Sequence, residues 1–298
     1  MSEFEVKITK IWEQNYPRLL RQISKPPKTL YYRGTIPKSL FYIAIIGSRK
    51  ISNYGGQAVN RLVSGLAGLP VCIVSGLAFG VDAAAHQAAL AYRLKTIAVL
   101  GSGVDDQHIY PRANFNLARQ ILKNGGALVS AYPPGTEALE WHFPERNQII
   151  SGVSKAVVIV EAAEKSGALI TADAALDQNR EIFAIPGSIF QKTSAGTNNL
   201  IKTTAAKLIS SAEDIIIEFP ELIRSRKTVN PEQVTTELSL IEREILKNIG
   251  AEPVALEQLL ARVKITPAAL AGNLILLEMK NKIRAIGGNF YARTQSAT

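Results

Sequence analysis

Phe143-Pro144-Glu145-Arg146-Asn147-Gln148-Ile149-Ile150-Ser151-Gly152 lies between two apolar runs, Ala127–Ser130 and Ala156–Val160. Near-continuous apolar runs of this length read as strands covered on both faces, the habit of a parallel sheet. Ligands of such sheets collect beyond the carboxyl ends of the strands, so Arg146 and Asn147 fall close to where a phosphate would sit. The same pair also suits a helix cap with a salt bridge, and the stretch alone does not choose between them.

On either side the pattern repeats. From Tyr42 to Ile209 short apolar runs alternate with amphipathic stretches, the βαβα order of a sheet with helices on both faces. Strands are expected at Tyr42–Ile46, Val71–Ser75, Thr96–Leu100, the two runs above, Ile182–Ile185 and Lys207–Ile209. Helices are expected at Gly56–Ala67, Val81–Tyr92, Ala113–Lys123, Arg146–Gly152 and Ile170–Gln178. Most strands end in glycine, serine or proline, as at Gly47-Ser48, Ser75-Gly76 and Pro186-Gly187, which gathers amide-rich turns on one edge.

Residues 1–40 stand outside the alternation. Pro17, Pro26, Pro27 and Pro37 disfavour a long helix there and predict an extended segment lying on the core. Residues 41–222 form the main domain, and the polar, basic stretch 223–236 reads as a linker. In 237–298, Ser239–Ile249, Leu256–Val263 and Pro267–Met279 read as helices before a hairpin around Gly287-Gly288, a winged helix-turn-helix. Its third helix has no cation before Lys280 and offers base edges only Asn273, which favours a protein-docking role over major-groove reading.

A chain of 298 residues with 47% hydrophobic content supports one sizeable core plus a small second domain and excludes disorder as the main state. The single cysteine, Cys72, sits in an apolar run, which suits a buried thiol in a reducing, cytoplasmic setting. No run approaches the ~18 apolar residues of a membrane span, and the first residues lack a signal-peptide core. The formal charge is +9, but residues 1–40 carry eight Lys and Arg against three Glu, whereas 41–222 carry fifteen cations against fifteen acids. If the main domain grips nucleic acid, local cations and backbone amides must do it.

The first turn, Gly47-Ser48-Arg49, has neither a Gly-x-Gly-x-x-Gly nor a Walker spacing, so NAD binding and ATP hydrolysis lose support. What remains is a turn able to clamp a phosphate oxygen, the alternative for Arg49 being a salt bridge to Glu161 or Asp82. Asp82 and His86 share a helix face, but with only His86, His108 and His142 in the chain a structural role is favoured over a metal site or acid/base pair. Ser166-Gly167 either caps a helix or presents its first amides to a second phosphate, with Lys165 beside it. A further glycine turn at Gly196 leads to the cation Lys202, and Phe143 is either a core aromatic or a platform for an unstacked base.

Taken in order, Gly47-Ser48-Arg49, Ser75-Gly76-Leu77-Ala78-x-Gly80-x-Asp82-x-x-Ala85-His86, Tyr110-Pro111, Phe143-Pro144-x-Arg146-Asn147, Ser166-Gly167-x-Leu169-Ile170-Thr171-Ala172 and Pro186-Gly187 resemble the DNA-processing protein DprA (Smf) family. The resemblance spans residues 15–215, and the terminal winged helix is similar to that of many members. It implies an α/β fold, an extended Rossmann-like parallel sheet with a small C-terminal winged-helix domain, forming a homodimer. It further implies binding of single-stranded DNA in a pocket of strand-end loops, without catalysis, metal or cofactor, and loading of RecA recombinase in natural transformation. On that reading Arg49, Arg146, Lys165 and Lys202 neutralise phosphates, Gly47, Ser48, Gly76, Asn147 and Ser166 supply hydrogen bonds, and Phe143 contacts a base. The chain departs from the family pattern at Ala131 (a glutamate), Gln148 (an arginine) and Thr204 (a glycine). The rival readings are a LOG-type nucleotide phosphoribohydrolase, whose Pro-Gly-Gly-x-Gly-Thr loop is only partly matched at Pro186-Gly187-Ser188, and a nucleotide sensor with the winged helix as output.

Overall fold

Each apolar run read as a strand forms one in the computed structural model, which describes residues 4–38, 40–228, 240–250, 252–263, 265, 267–279, 282–287 and 290–294. The chain divides into two units, Met1–Val229 and Asn230–Thr298. In the first, nine strands run β1 (Lys7–Lys10), β2 (Thr29–Gly34), β3 (Phe41–Ile46), β4 (Val71–Ser75), β5 (Lys95–Leu100), β6 (Ala127–Ser130), β7 (Ala156–Ile159), β8 (Glu181–Ala184) and β9 (Lys207–Leu208). The helices are α1 (Asn53–Gly65), α2 (Val81–Ala91), α3 (Phe115–Lys123), α4 (His142–Val153), α5 (Gly167–Asp177), α6 (Ala195–Lys202), α7 (Glu213–Ile216) and α8 (Pro220–Thr228).

The sheet order is β1-β2-β6-β5-β4-β3-β7-β8-β9. From β3 the chain winds outward through β4 and β5 to β6, then crosses back to β7 and winds the other way. The winding reverses between β3 and β7, which pair in parallel from Ile43↔Ala156 to Ile46↔Ile159. Side chains alternate between the faces of this pair. Ile43 and Ile45 join a cluster with Val59 and Leu62 of α1 and Ala85 of α2, whereas Ala44 and Ile46 join one with Ile149 and Ile150 of α4 and Ala172 of α5. Each isoleucine so buried contributes about 1.5–3 kcal/mol, which fixes the β3 and β7 ends against the helices that follow them. Cys72 is a buried free thiol, its pKa pushed up by desolvation.

The N-terminal segment has no α-helix among its described residues, but it is not extended throughout: between two strands it makes turns and a 3-10 helix at Leu20–Gln22, and the strands join the sheet instead of only covering it. β1 pairs antiparallel with β2, and β2 antiparallel with β6 from Tyr31↔Ser130 to Gly34↔Ala127. Arg33 locks it down, donating to Phe4 O (3.1 Å), Val104 O (3.1 Å) and Asp106 Oδ1 (2.5 Å). The stretch read as a linker from 223 begins as the last turns of α8, because Leu222 is buried beneath it; 229–239 lie outside the described residues. In the second unit α9 (Leu240–Lys247), β10 (Val254–Ala255), α10 (Leu256–Val263) and α11 (Pro267–Met279) precede a β11 (Ile283–Gly287) and β12 (Phe290–Arg293) pair. Leu270, Leu274 and Leu277 of α11 fill its core with Ile245 and Leu259.

Candidate functional site

At the carboxyl ends of β3 and β7 the sheet opens into a cavity of about 650 Å³. A crevice at this reversal point is where open α/β sheets bind ligands. Gly47, Ser48 and Arg49 line it from the loop after β3, Asp82 from the first turn of α2, Phe143, Arg146 and Asn147 from α4, and Lys165 and Ser166 from the approach to α5. The topology thus brings together residues up to 119 positions apart, from Gly47 to Ser166.

Helix α4 begins at His142, a turn earlier than its expected start at Arg146. Pro144 is the reason it can: in a first turn its missing N–H removes no intrahelical bond. Phe143 therefore sits in the first helical turn, half-buried, and Arg146 lies one turn deeper, only 5% exposed. Its Nη1 donates to Gly76 O and to Val99 O (2.8 Å), and its Nε to Asn147 Oδ1 (3.1 Å). Among the described residues Nη2 makes no hydrogen bond. Arg146 is consequently a tie between the ends of β4 and β5 that also lines the cavity. Desolvation lowers its pKa, the Asp82 carboxylate raises it, and the neighbouring Arg49 lowers it again.

Asp82 is the buried counter-charge. It accepts from Gly76 N (3.1 Å) and Ala78 N (3.4 Å); desolvation pushes its pKa up, against Arg146 and these amides. Gly76 is not among the residues lining this cavity: a Cβ there would overlap Arg146 Nη1 and Asp82 Oδ2, so glycine is what lets that pair approach. Its amide and carbonyl are engaged within the protein, by Asp82 and Arg146.

Arg49 differs from Arg146. It is exposed and forms no ion pair among the described residues. Of its expected alternative partners, Asp82 is held as above, and Glu161 accepts from Ser52 N (3.0 Å) and Ser52 Oγ (2.5 Å). Arg49 Cζ lies 5.3 Å from the Phe143 ring centroid and Arg146 Cζ 5.8 Å from the same centroid, within cation–π range. The Tyr110 ring stands 5.9 Å away on another side; Tyr110 belongs to this wall although residue chemistry alone did not single it out. Two guanidiniums flanking one ring, with Lys165 exposed nearby, favour an anion bearing a flat group.

The remaining expected residues divide. Ser166 caps α5, its Oγ accepting from Ala168 N (3.3 Å), and is also part of the cavity wall. Asn147 Nδ2 reaches Gly167 O (3.4 Å) and links α4 to α5. Lys202 is not among the lining residues: α6, where Gly196 N donates to Ala162 O (2.8 Å), leads from β8 back to β9, a strand parallel to it. The last residue of α6 lies about 10 Å further on, at 1.5 Å per residue. His86 is buried, with Nδ1 2.7 Å from Thr96 Oγ1. Thr96 in turn donates to Ile73 O (2.8 Å), which assigns the ring proton to Nδ1. Burial holds His86 neutral, with its pKa lowered to about 3, the structural role favoured for it.

A sequence model of the family DNA recombination-mediator protein A matches residues 7–220, and one of the DprA winged helix domain matches 229–289. The DNA processing protein DprA of Bacillus subtilis is 45% identical over 213 residues, 71% of this chain and 70% of that protein. Among solved structures, DprA from Streptococcus pneumoniae superposes with a TM-score of 0.65 at 40% identity, covering 73% of this chain and 75% of that one. DNA processing protein A from Helicobacter pylori, whose structure concerns its single-stranded DNA binding mode, superposes at 0.64 with 30% identity over 72% of this chain and 96% of that one.

Proposed function

This chain belongs to the DNA recombination-mediator protein A family, and from that premise we propose that it binds single-stranded DNA without catalysis and delivers it to RecA recombinase. The observation that carries the reading is the pair Arg49 and Arg146, both within cation–π range of the Phe143 ring, in a cavity that Lys165 and Ser166 also line. Cations beside an aromatic face read phosphate and a base plane without reading base edges, the chemistry of sequence-tolerant strand binding. Of the carboxylates at the walls, Asp82 is taken by amides and Arg146 and Glu161 by Ser52, which leaves the exposed Glu140 as the accessible one in the cationic cavity. Dimerisation and RecA loading come to the proposal from the family resemblance, and a cytoplasmic site of action from the single free thiol, Cys72.

Electrophoretic mobility of labelled single- and double-stranded oligonucleotides tests it. Each phosphate neutralised on a single strand contributes about −0.7 to the slope of log K against log salt, so three or four contacts give roughly −2 to −3. A flat salt titration, or tighter binding to duplex, refutes the proposal.

A further inference from the structure

A second cavity, of about 610 Å³, opens beside the first. Ser52 and Tyr54 line it from the start of α1, with Glu161, and Gly187, Gln191 and Thr193 from the segment after β8. Only a backbone ridge divides the two: Ser48 N donates to Glu161 O (2.8 Å), and the chain passes from Arg49 in the first wall to Ser52 in the second, with the exposed Lys50 between. The second cavity differs in chemistry. Its charged group is Glu161, 2% exposed, which opposes a phosphate, while Tyr54, Gln191 and Thr193 offer neutral donors and acceptors suited to a base or sugar.

The loop that closes this cavity carries Ile189 and Phe190, 84% and 89% exposed, the most exposed large hydrophobic residues among those described. Tyr54 stands half-exposed and donates to Pro186 O (2.6 Å), which ties its ring to that loop. Lys192 follows, exposed, between two residues of the wall. Two aromatic residues at the lip of a cavity whose one charged lining group is a buried carboxylate, with Lys50 and Lys192 beside them and a cationic cavity adjoining, have the make-up of a stacking platform along a single-strand track.

We propose that the two cavities are consecutive subsites: with a phosphate held by Arg49 and Arg146, the strand crosses the ridge at Lys50 and places a further base against Tyr54 and Phe190, with Lys192 on its backbone. This rests on the single-strand reading of the first cavity. The test is fluorescence anisotropy with labelled oligo-dT of increasing length on the parent protein, a Phe190→Ala/Lys192→Ala double variant and Arg49→Ala. The double variant is expected to match the parent on the shortest oligonucleotides that bind and to bind longer ones about five- to tenfold more weakly, the lower range for a stacked base. Arg49→Ala weakens binding at every length. Parental affinity of the double variant for long oligonucleotides overturns the inference, and so does equal weakening at all lengths. A changed sedimentation coefficient with unchanged affinity also overturns it, because a second copy of the chain then covers Phe190. Normal binding by Arg49→Ala instead refutes the first cavity, independently of the second.

Discussion

Arg49 and Arg146 both lie near the Phe143 ring, yet only the removal of Arg146 should also cost the fold. Arg146→Ala strips a buried cation from beside Asp82 and leaves the carbonyls of Gly76 and Val99 without their shared donor. Breaking a buried charge pair from one side costs about 3–5 kcal/mol, most of it from the uncompensated partner. At roughly 2–4 °C per kcal/mol for a domain of this size, the melting temperature falls by about 10 °C. Arg49→Ala removes an exposed side chain with no ion pair among the described residues, so its melting temperature stays within about 1 °C of the parent. Its affinity for an oligonucleotide drops by about 1.5–3 kcal/mol, the range for hydrogen bonds to charged groups, and the salt slope flattens by about 0.7. Lysine at 49 restores only part of this, lacking the planar fork. Circular dichroism melts and anisotropy on the same preparations decide the matter. If Arg146→Ala melts like the parent, the strand-end tie is wrong; if Arg49→Ala binds normally while folded, the cavity is not the DNA site.

Lys202→Ala, at the far end of α6, should leave oligonucleotide affinity within about twofold of the parent; a large loss would relocate the site. Thr204 holds φ +58° just past the end of α6, a conformation costly for a β-branched residue. Thr204→Gly should therefore stabilise the protein by about 1 kcal/mol in denaturant titrations, and a loss of stability would contradict the strain. His86 stays neutral when folded, with a pKa lowered to about 3, while the unfolded chain protonates near 6.5. Between these values the unfolded state binds more protons, so its contribution is full above about pH 6.5 and is lost at about 1 kcal/mol per unit as pH falls. Asp82, with a raised pKa, acts in the opposite sense, so the test is the difference between parent and His86→Asn, whose acid limb should be flatter. Deleting residues 234–298 should retain most single-strand affinity; loss of binding with the sheet still folded would assign DNA contact to the winged helix.

The strands were legible because Ile43–Ile46 and Val71–Ser75 are buried on both faces and so carry unbroken apolar sequence. β1 and β2 were not: at the sheet margin Lys7–Lys10 buries only Thr9, and a half-exposed edge leaves little apolar signal. At the site, the cluster from Gly47 to Ser166 followed from strand-end logic, because parallel topology sends every following loop to one edge. The division of labour did not. Arg49 and Arg146 carry the same side chain, and only the depth of α4, set by a helix start that tolerates Pro144, puts one in solvent and the other beneath the loop. Lys202 is not brought to this cavity, for a related reason: a cation just after a glycine turn looks adjacent in sequence, but it sits at the far end of the helix between them.

The carboxylate of Glu161 rests against Ser52 at the mouth of α1, and any Cβ on Gly55 would press into it. In dinucleotide-binding relatives of this architecture, the first helix mouth is the anchor for a pyrophosphate. Here the chain supplies its own anion to that place, and a free nucleoside diphosphate would have to displace a group that is covalently part of the protein and therefore never diluted. The cellular pool of small nucleotides thus meets a berth already occupied, while a polymer, which draws its hold from several loops at once, does not depend on that one anchor. On the proposed reading, one buried glutamate closes that anchor to small phosphates while the cationic cavity next to it stays open to a strand.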